Sequence, residues 1–234
     1  MLERLDYVKL APRRILDAGS GPPQRLLGKR YPKAQVVALD FSLGMLRARK
    51  KKLFEGNVPR PVCGDLAHLP FAESSVELVW SNMVLHWLAE PLAALREFER
   101  VLAPEGLLMF SALGPDALKE LRAAAGASRV HAFHDMHDLG DMLVAAGFAA
   151  PVMDMEMLEI SYSAADGLLK DLRESGQTNA RADRARGLAG KGWLARLRSA
   201  LPDRASFEVV YGHAWKRAVP LQTAKTVRVF KRMP

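Results

Sequence analysis

The sequence is short of the features that mark several large classes of protein. It has a single cysteine, Cys63, in 234 residues, which excludes an intrachain disulfide and any cysteine-cluster metal site. No apolar run approaches the roughly 20 residues that a membrane span requires. The opening Met1-Leu2-Glu3-Arg4-Leu5-Asp6 is too charged for a secretory h-region. Internal repeats and low-complexity tracts are missing as well. The hydrophobic share of 49% and the charged share of 26% are near average, which excludes a disordered chain. A globular, cytoplasmic protein with no membrane partner is expected.

Acidic residues are scarce in one region only. Residues 1–163 hold 19 Lys+Arg and 20 Asp+Glu, a net of −1; residues 164–234 hold 15 and 6, a net of +9. The formal surplus of +8 therefore belongs to the last third. A lopsided distribution of this kind suits an acidic partner: nucleic acid, anionic lipid or an acidic protein.

The pattern along the chain alternates between strand and helix. Arg14–Ala18, Gln35–Asp40, Pro61–Asp65, Val76–Ser81 and Leu107–Ser111 read as short strands. Helices are expected over Gln24–Tyr31, from an N-cap at Ser42 to about Leu53, and over Pro91–Leu102, where Leu92, Leu95, Phe98, Val101 and Leu102 fall at helical spacing. Parallel neighbours need crossover helices, so this order implies a parallel α/β sheet. After Ser111 helices are expected over Pro115–Ala125, Asp135–Ala146, Ala164–Gly176 and Trp193–Leu201. Strands are expected over Val152–Tyr162, Phe207–Trp215 and Thr226–Phe230.

Three strand ends carry acids. The first strand gives Asp17-Ala18-Gly19-Ser20-Gly21, the second ends in Asp40, and the third ends in Gly64-Asp65. Ligands of open parallel sheets bind outside the carboxyl ends of the strands. A glycine turn admits a ligand close to the backbone. An acid about 20 positions later accepts from two ribose hydroxyls, and one on the next strand accepts from an exocyclic amine. This is an adenosine site. The dinucleotide fingerprint fits poorly because Gln24 stands at its third glycine, and a P-loop fits poorly because Lys29 precedes Arg30. An acid two residues before the first glycine would repel a pyrophosphate and suits the cationic methionine end of S-adenosylmethionine.

The runs Ile15–Gly21, Val37–Leu46 and Gly64–Phe71 resemble class I methyltransferases. Trp80-Ser81-Asn82-Met83-Val84-Leu85-His86-Trp87, Ala94–Leu102, Leu113–Arg122, His134–Asp141 and Tyr211–Lys216 are similar to the BioC family, the malonyl-acyl-carrier-protein O-methyltransferases of biotin synthesis. The resemblance covers about residues 14 to 217. It implies a Rossmann-like fold with a mostly parallel seven-stranded sheet, helices on both faces and a helical insertion after strand 5. It implies one domain over residues 1–234, with a cofactor half (1–111) and a substrate half (112–234). Asp17, Gly19 and Gly21 would cradle the methionine end of S-adenosylmethionine. Asp40 would hold the ribose, Phe41 and Met45 would flank the adenine, Asp65 and the Leu66 backbone would meet its edge, and Ser81 would lie near the methyl group. Malonyl-acyl-carrier protein or malonyl-CoA would be the substrate, with the acidic carrier on the basic third. Ser81, His86, His131 and His134 are the candidate catalytic residues. His131, His134 and His137 do not have the spacing of a metal site, and no metal is expected.

Three departures stand out. Pro23 replaces the third glycine of the first motif. The chain starts only a few residues before the first strand, so little N-terminal cover is expected. Ala132-Phe133 stands where the family has Arg-Phe, leaving Arg129, His131 or His134 to take that role. The rival readings are a nucleic-acid methyltransferase, suggested by the charge but lacking the motifs of base methylation, a methyltransferase of another small molecule, and an inactive or assembly-factor-like relative. Trp193, Trp215, Met153, Met155 and Met157 are expected to pack, and Arg47–Lys52 to form a solvated helix end.

Overall fold

A computed structural model describes residues 1–48, 56–177, 184 and 190–218. Seven strands form one sheet in the order β3-β2-β1-β4-β5-β7-β6. They are β1 (Arg14–Ala18), β2 (Gln35–Asp40), β3 (Arg60–Cys63), β4 (Val76–Asn82), β5 (Leu102–Leu113), β6 (Ala149–Ser161) and β7 (Arg204–Trp215). The first five pair in parallel, while β7 runs antiparallel between β5 and β6. The buried central strands are apolar on both faces, as parallel strands covered on both sides must be. Ile15, Leu16, Leu78, Val79, Leu107 and Leu108 have no exposed surface.

The helices are α1 (Leu26–Arg30), α2 (Leu43–Arg47), α3 (Pro91–Val101), α4 (Lys119–Ala125), α5 (Met136–Ala145), α6 (Ala165–Glu174) and α7 (Gly190–Ala200). One face of the sheet is covered by α3 and α5, through Leu95, Phe98, Leu139 and Leu143. The other face carries α1 and an N-terminal 3-10 turn, Leu2–Tyr7. That turn drives Leu5 into a cluster with Ile15, Leu27, Val36 and Leu78. Arg4 ties it across the sheet by an ion pair with Asp154 at 2.7 Å and by lying 4.0 Å from the Tyr211 ring centre. So residues before β1 do cover part of the sheet.

A third cluster lies at the carboxyl end of the parallel strands. Leu118, Val130, Leu168, Leu197 and Ala205 join α4, α6 and α7 to the start of β7. This cap is the expected insertion after strand 5 together with the segment between β6 and β7.

Several boundaries differ from expectation. The helix read over Gln24–Tyr31 shortens to α1, with Arg25 at its N-cap and Tyr31 at its C-cap; Pro22 and Pro23 stand in the turn before it. β5 starts at Leu102 rather than Leu107; Glu105, at φ 60°, and a register shift against β4 take up the Pro-Glu-Gly turn inside the strand. Met155 and Met157 were expected to pack but are 43% and 42% exposed. They sit on β6, an edge strand that pairs with β7 alone and from Met157 onward runs past the end of β5. Met153 packs against the core, and Trp193 and Trp215 are part-buried as expected. Ser42 caps α2, its Oγ accepting from the Met45 amide at 3.3 Å. The strand expected at Thr226–Phe230, most of the Arg47–Lys52 run and much of the basic 181–198 stretch lie outside the described residues.

Candidate active site

The carboxyl ends of β1, β2 and β4 open onto one cleft. Its enclosed part, about 100 Å³, is lined by Asp17, Gly19, Ser20, Gln24, Trp80 and Asn82, among others. The turn after β1 is held to the next strand: the amides of Gly19 and Ser20 donate to the Leu39 carbonyl at 2.8 and 3.0 Å. Both glycines are required, for different reasons. Gly19 has φ +75°, and a Cβ there would lie 2.5 Å from the Val84 side chain; Gly21 has φ +59° and faces open space. The first is demanded by packing and the second by backbone geometry, with room left on its cleft side.

Asp40 ends β2 with both carboxylate oxygens engaged. Oδ2 accepts from the Gly21 amide at 2.8 Å and Oδ1 from the Ser42 amide at 2.7 Å. The acid therefore locks the glycine turn and the start of α2 around itself, while part of its surface stays accessible. Asp17 lies deeper. Some of its surface stays accessible, yet burial, with the Asp40 charge as a second cause, raises its pKa from 3.8 to about 7. Such a group gains by meeting a cation. Beyond Asp40, Phe41 is 80% exposed and Met45 45%. Large apolar side chains standing free beside a polar cradle suit a flat ring.

Asp65 follows β3. Its Oδ1 accepts from the Ala67 amide at 2.9 Å, and His68 Nδ1 lies 3.8 Å from Oδ2. The side chain of Leu66 is buried in the core, so only its backbone faces the site. This loop is pinned from below by a pair the sequence reading passed over. Arg100 donates to the carbonyls of Phe71 and Leu69 at 2.8 and 3.0 Å and to Glu97 at 2.7 Å, while Glu97 accepts from the Leu69 amide at 2.7 Å. The Arg100 hydrogen bond is the main reason the Glu97 carboxyl lies below its ordinary range. The signal was an acid and a base three residues apart on α3, the helix spacing that brings charges together.

At the end of β4 strand alternation decides which side chains reach the cleft. Trp80 and Asn82 line it; Ser81 between them is fully buried and its hydroxyl is unpartnered. Ser81, expected beside the cleft, is therefore turned into the core, and Asn82 lines the cleft in its place. Asn82 Oδ1 accepts from Ser111 Oγ at 2.9 Å, and Ser111 Oγ accepts from the amide of Met83 at 3.1 Å. Met83 is held at φ 59°, a strained backbone for a non-glycine residue.

The candidate histidines divide. His86, on a 3-10 turn Leu85–Trp87, is 8% exposed and sits in an aromatic cluster with Trp87, His131 and Phe133. Burial, with the nearby His131 as a second cause, lowers its pKa to about 4. His131 stacks on Phe133. His134 enters no ring cluster among the described residues, and His137 meets Asp135, the N-cap of α5. Ala132 is exposed, and Arg129 lies 4.1 Å from the Trp193 ring centre, within the cap. Among the described residues no three His, Cys, Asp or Glu side chains gather as a metal would require. No helix among them is long and apolar enough to cross a membrane.

A 3-2-1-4-5-7-6 sheet with a reversed seventh strand, acids at three strand ends and a glycine turn over the first define a class I methyltransferase. The model of the methyltransferase domain family matches residues 16–110. YcgJ from Bacillus subtilis has the same fold, with a TM-score of 0.64 at 17% identity, covering 94% of this chain and 97% of that one. So does Haemonchus contortus phosphoethanolamine N-methyltransferase 2 in complex with S-adenosyl-L-methionine, with a TM-score of 0.55 at 19% identity, covering 92% and 51%. Two relatives are much nearer in sequence. Malonyl-(acyl-carrier protein) O-methyltransferase of Gallionella capsiferriformans is 50% identical over 93% of this chain and 82% of its own. Its namesake in Methylovorus is 48% identical over 92% and 79%. The chain belongs to the malonyl-(acyl-carrier protein) O-methyltransferase family, and it is an S-adenosylmethionine-dependent methyltransferase.

Proposed function

We propose that this protein transfers a methyl group to the free carboxylate of a malonyl thioester borne by an acyl-carrier protein, with malonyl-CoA as a smaller form of the same substrate. S-adenosylmethionine supplies a methyl group activated by a positively charged sulfur. Asp17, Gly19 and Gly21 hold its methionine end, Asp40 its ribose, and Phe41 and Met45 its adenine, whose edge meets Asp65 and the Leu66 backbone. Asn82 lies beside the methyl end.

The observation that carries this reading is the chemistry at the end of β4. Among the described residues Asn82, Met83, the buried His86, made a weak base by the burial that lowers its pKa to about 4, and aromatic rings stand there, and residues 82–89 hold no carboxylate or lysine that would deprotonate an amine or hydroxyl. A carboxylate needs no such base, because it is already ionised at neutral pH. The rate then comes from alignment and from exclusion of water by the cap. The basic last third suits an acidic carrier protein through charge complementarity. We also read residues 1–111 and 112–234 as the cofactor and substrate halves of one domain.

The test is transfer of labelled methyl groups from S-adenosylmethionine to malonyl-acyl-carrier protein, with unmalonylated carrier and RNA alongside. Label on the malonylated carrier alone supports the reading; label on RNA, or on neither, overturns it.

A further inference from the structure

His86 has an arrangement that packing alone does not explain. Its Nδ1 accepts from the amide of Leu113, the last residue of β5, at 3.4 Å. A ring nitrogen that accepts carries no proton, so in the neutral ring the proton sits on Nε2. Nε2 is buried and has no hydrogen-bond partner among the described residues. The backbone thus fixes the tautomer and leaves a buried N–H donor on a ring packed among Trp87 and Phe133. The rings of His86 and Phe133 are nearly perpendicular, 84° apart with centres 5.7 Å from each other, and that of His131 stacks on Phe133 at 6.3 Å and 25°. Both belong to residues 130–135, the stretch of cap between its short 3-10 turn and α5, which has no regular structure. A buried donor without an acceptor is unfavourable and rare in native proteins. Such a group calls for an acceptor that arrives with the substrate.

We propose that His86 is a catalytic hydrogen-bond donor: its Nε2–H holds the oxygen of the substrate carboxylate that does not attack the methyl group. This rests on the carboxylate-methylation reading and names the residue that orients the acid. The attacking oxygen supplies the electron pair for the new O–CH3 bond. The S–CH3 bond breaks with its pair left on sulfur, and no proton moves. The carboxylate loses its charge during the step, so a cationic clamp would stabilise the starting acid more than the transition state. A neutral donor orients the acid at a smaller cost in reactivity. Two described arginines of the cap are otherwise engaged. Arg122 donates to the carbonyls of Pro115, Ala117 and His131, and Arg129 lies over Trp193.

The test compares three forms of the full chain with malonyl-acyl-carrier protein. His86→Phe keeps an aromatic ring and removes the donor; His86→Gln restores an N–H at nearly the same reach. The expected result for His86→Phe is a fall of about 30- to 100-fold in kcat/KM, with the Kd for S-adenosylhomocysteine within twofold of wild type. His86→Gln recovers to within about fivefold of wild type. Equal activity in all three, or equal losses in both variants in step with Tm, overturns the donor role and leaves an N–H over the Phe133 ring. Absence of wild-type turnover overturns the functional reading instead. The donor role is then decided by titrating malonyl-pantetheine onto the S-adenosylhomocysteine complex, where equal Kd for wild type and His86→Phe overturns it.

Discussion

The Gly21 amide and the Asp40 carboxylate meet at 2.8 Å, so the turn after β1 and the end of β2 form one unit before any ligand arrives. The same carboxylate takes the Ser42 amide at the head of α2. Replacing Asp40 therefore releases two loops together and, in the function proposed above, removes a contact to the ribose. For Asp40→Ala we expect a rise of at least tenfold in the Kd for S-adenosylmethionine and a stability loss of about 1–2 kcal/mol. Titration calorimetry and urea unfolding measure the two effects; unchanged Kd would refute the cradle.

Asp17 sets a second expectation. Its pKa is raised from 3.8 to about 7. Between those values the folded chain holds the extra proton, so this group's contribution to stability falls as pH rises. A cationic ligand reverses the preference and drives the proton off. Binding of S-adenosylmethionine near pH 6.5 should release a proton, seen as a binding enthalpy that varies with the ionisation enthalpy of the buffer. Asp17→Asn should be more stable than wild type at pH 8, by about 1–3 kcal/mol, and should bind the cofactor far more weakly.

His86 contributes the opposite slope. Its pKa is lowered from 6.5 to about 4, so the unfolded chain holds the extra proton between those values and stability rises with pH. In wild type Asp17 and His86 oppose one another over this window. In Asp17→Asn the His86 term stands without its counterweight, and stability should climb more steeply from pH 4.5 to 6.5. Urea midpoints across that range decide it; identical slopes in the two proteins would rule out the coupling of opposites.

Arg100 is expected to matter to the cofactor without touching it. Arg100→Ala frees the Leu69 and Phe71 carbonyls and leaves Glu97 without its cation. A loss of about 1–3 kcal/mol in stability is expected, with several-fold weaker cofactor binding because the Asp65 loop loosens. Faster amide exchange at residues 65–71 would locate the effect; loss of stability with exchange there unchanged would place it elsewhere.

Leu5 is fully buried against the sheet. Leu5→Ala should cost about 2–4 kcal/mol, and Arg4→Ala much less, since its partner Asp154 is largely exposed. A thermal melt of each variant gives the comparison.

The elements that sequence made legible are those with local causes. The Ser42 cap, the acids at the ends of β1 and β2 and the apolar stripe of α3 each depend on residues a few positions apart. The glycines were legible because no other residue suits their backbone. What stayed hidden depends on long-range pairing. Nothing in Arg100 itself says that it faces the carbonyls of Leu69 and Phe71. Nothing in Ser81-Asn82 says which one alternation turns toward the cleft, since that needs the register of β4 on β1 and β5. The exposure of Met155 and Met157 follows from β6 being an edge strand, a property of strand order that local pattern does not contain.

The reversed β7 has a consequence for how the molecule is made. It is inserted between β5 and β6, pairing Leu107 with Trp215 on one side and Val152 with His213 on the other. Its first residues anchor the cap as well, with the Leu118 amide bonded to the Ser206 carbonyl at 2.7 Å and Glu120 accepting from the Ser206 amide and hydroxyl. Until that strand leaves the ribosome, β6 has no neighbour to pair with and the cap no base to stand on. Contacts so distant along the chain form slowly. The cap over the cleft therefore waits on a strand that follows Glu120 by 86 residues, while β1 and β2 find each other over a far shorter stretch of chain.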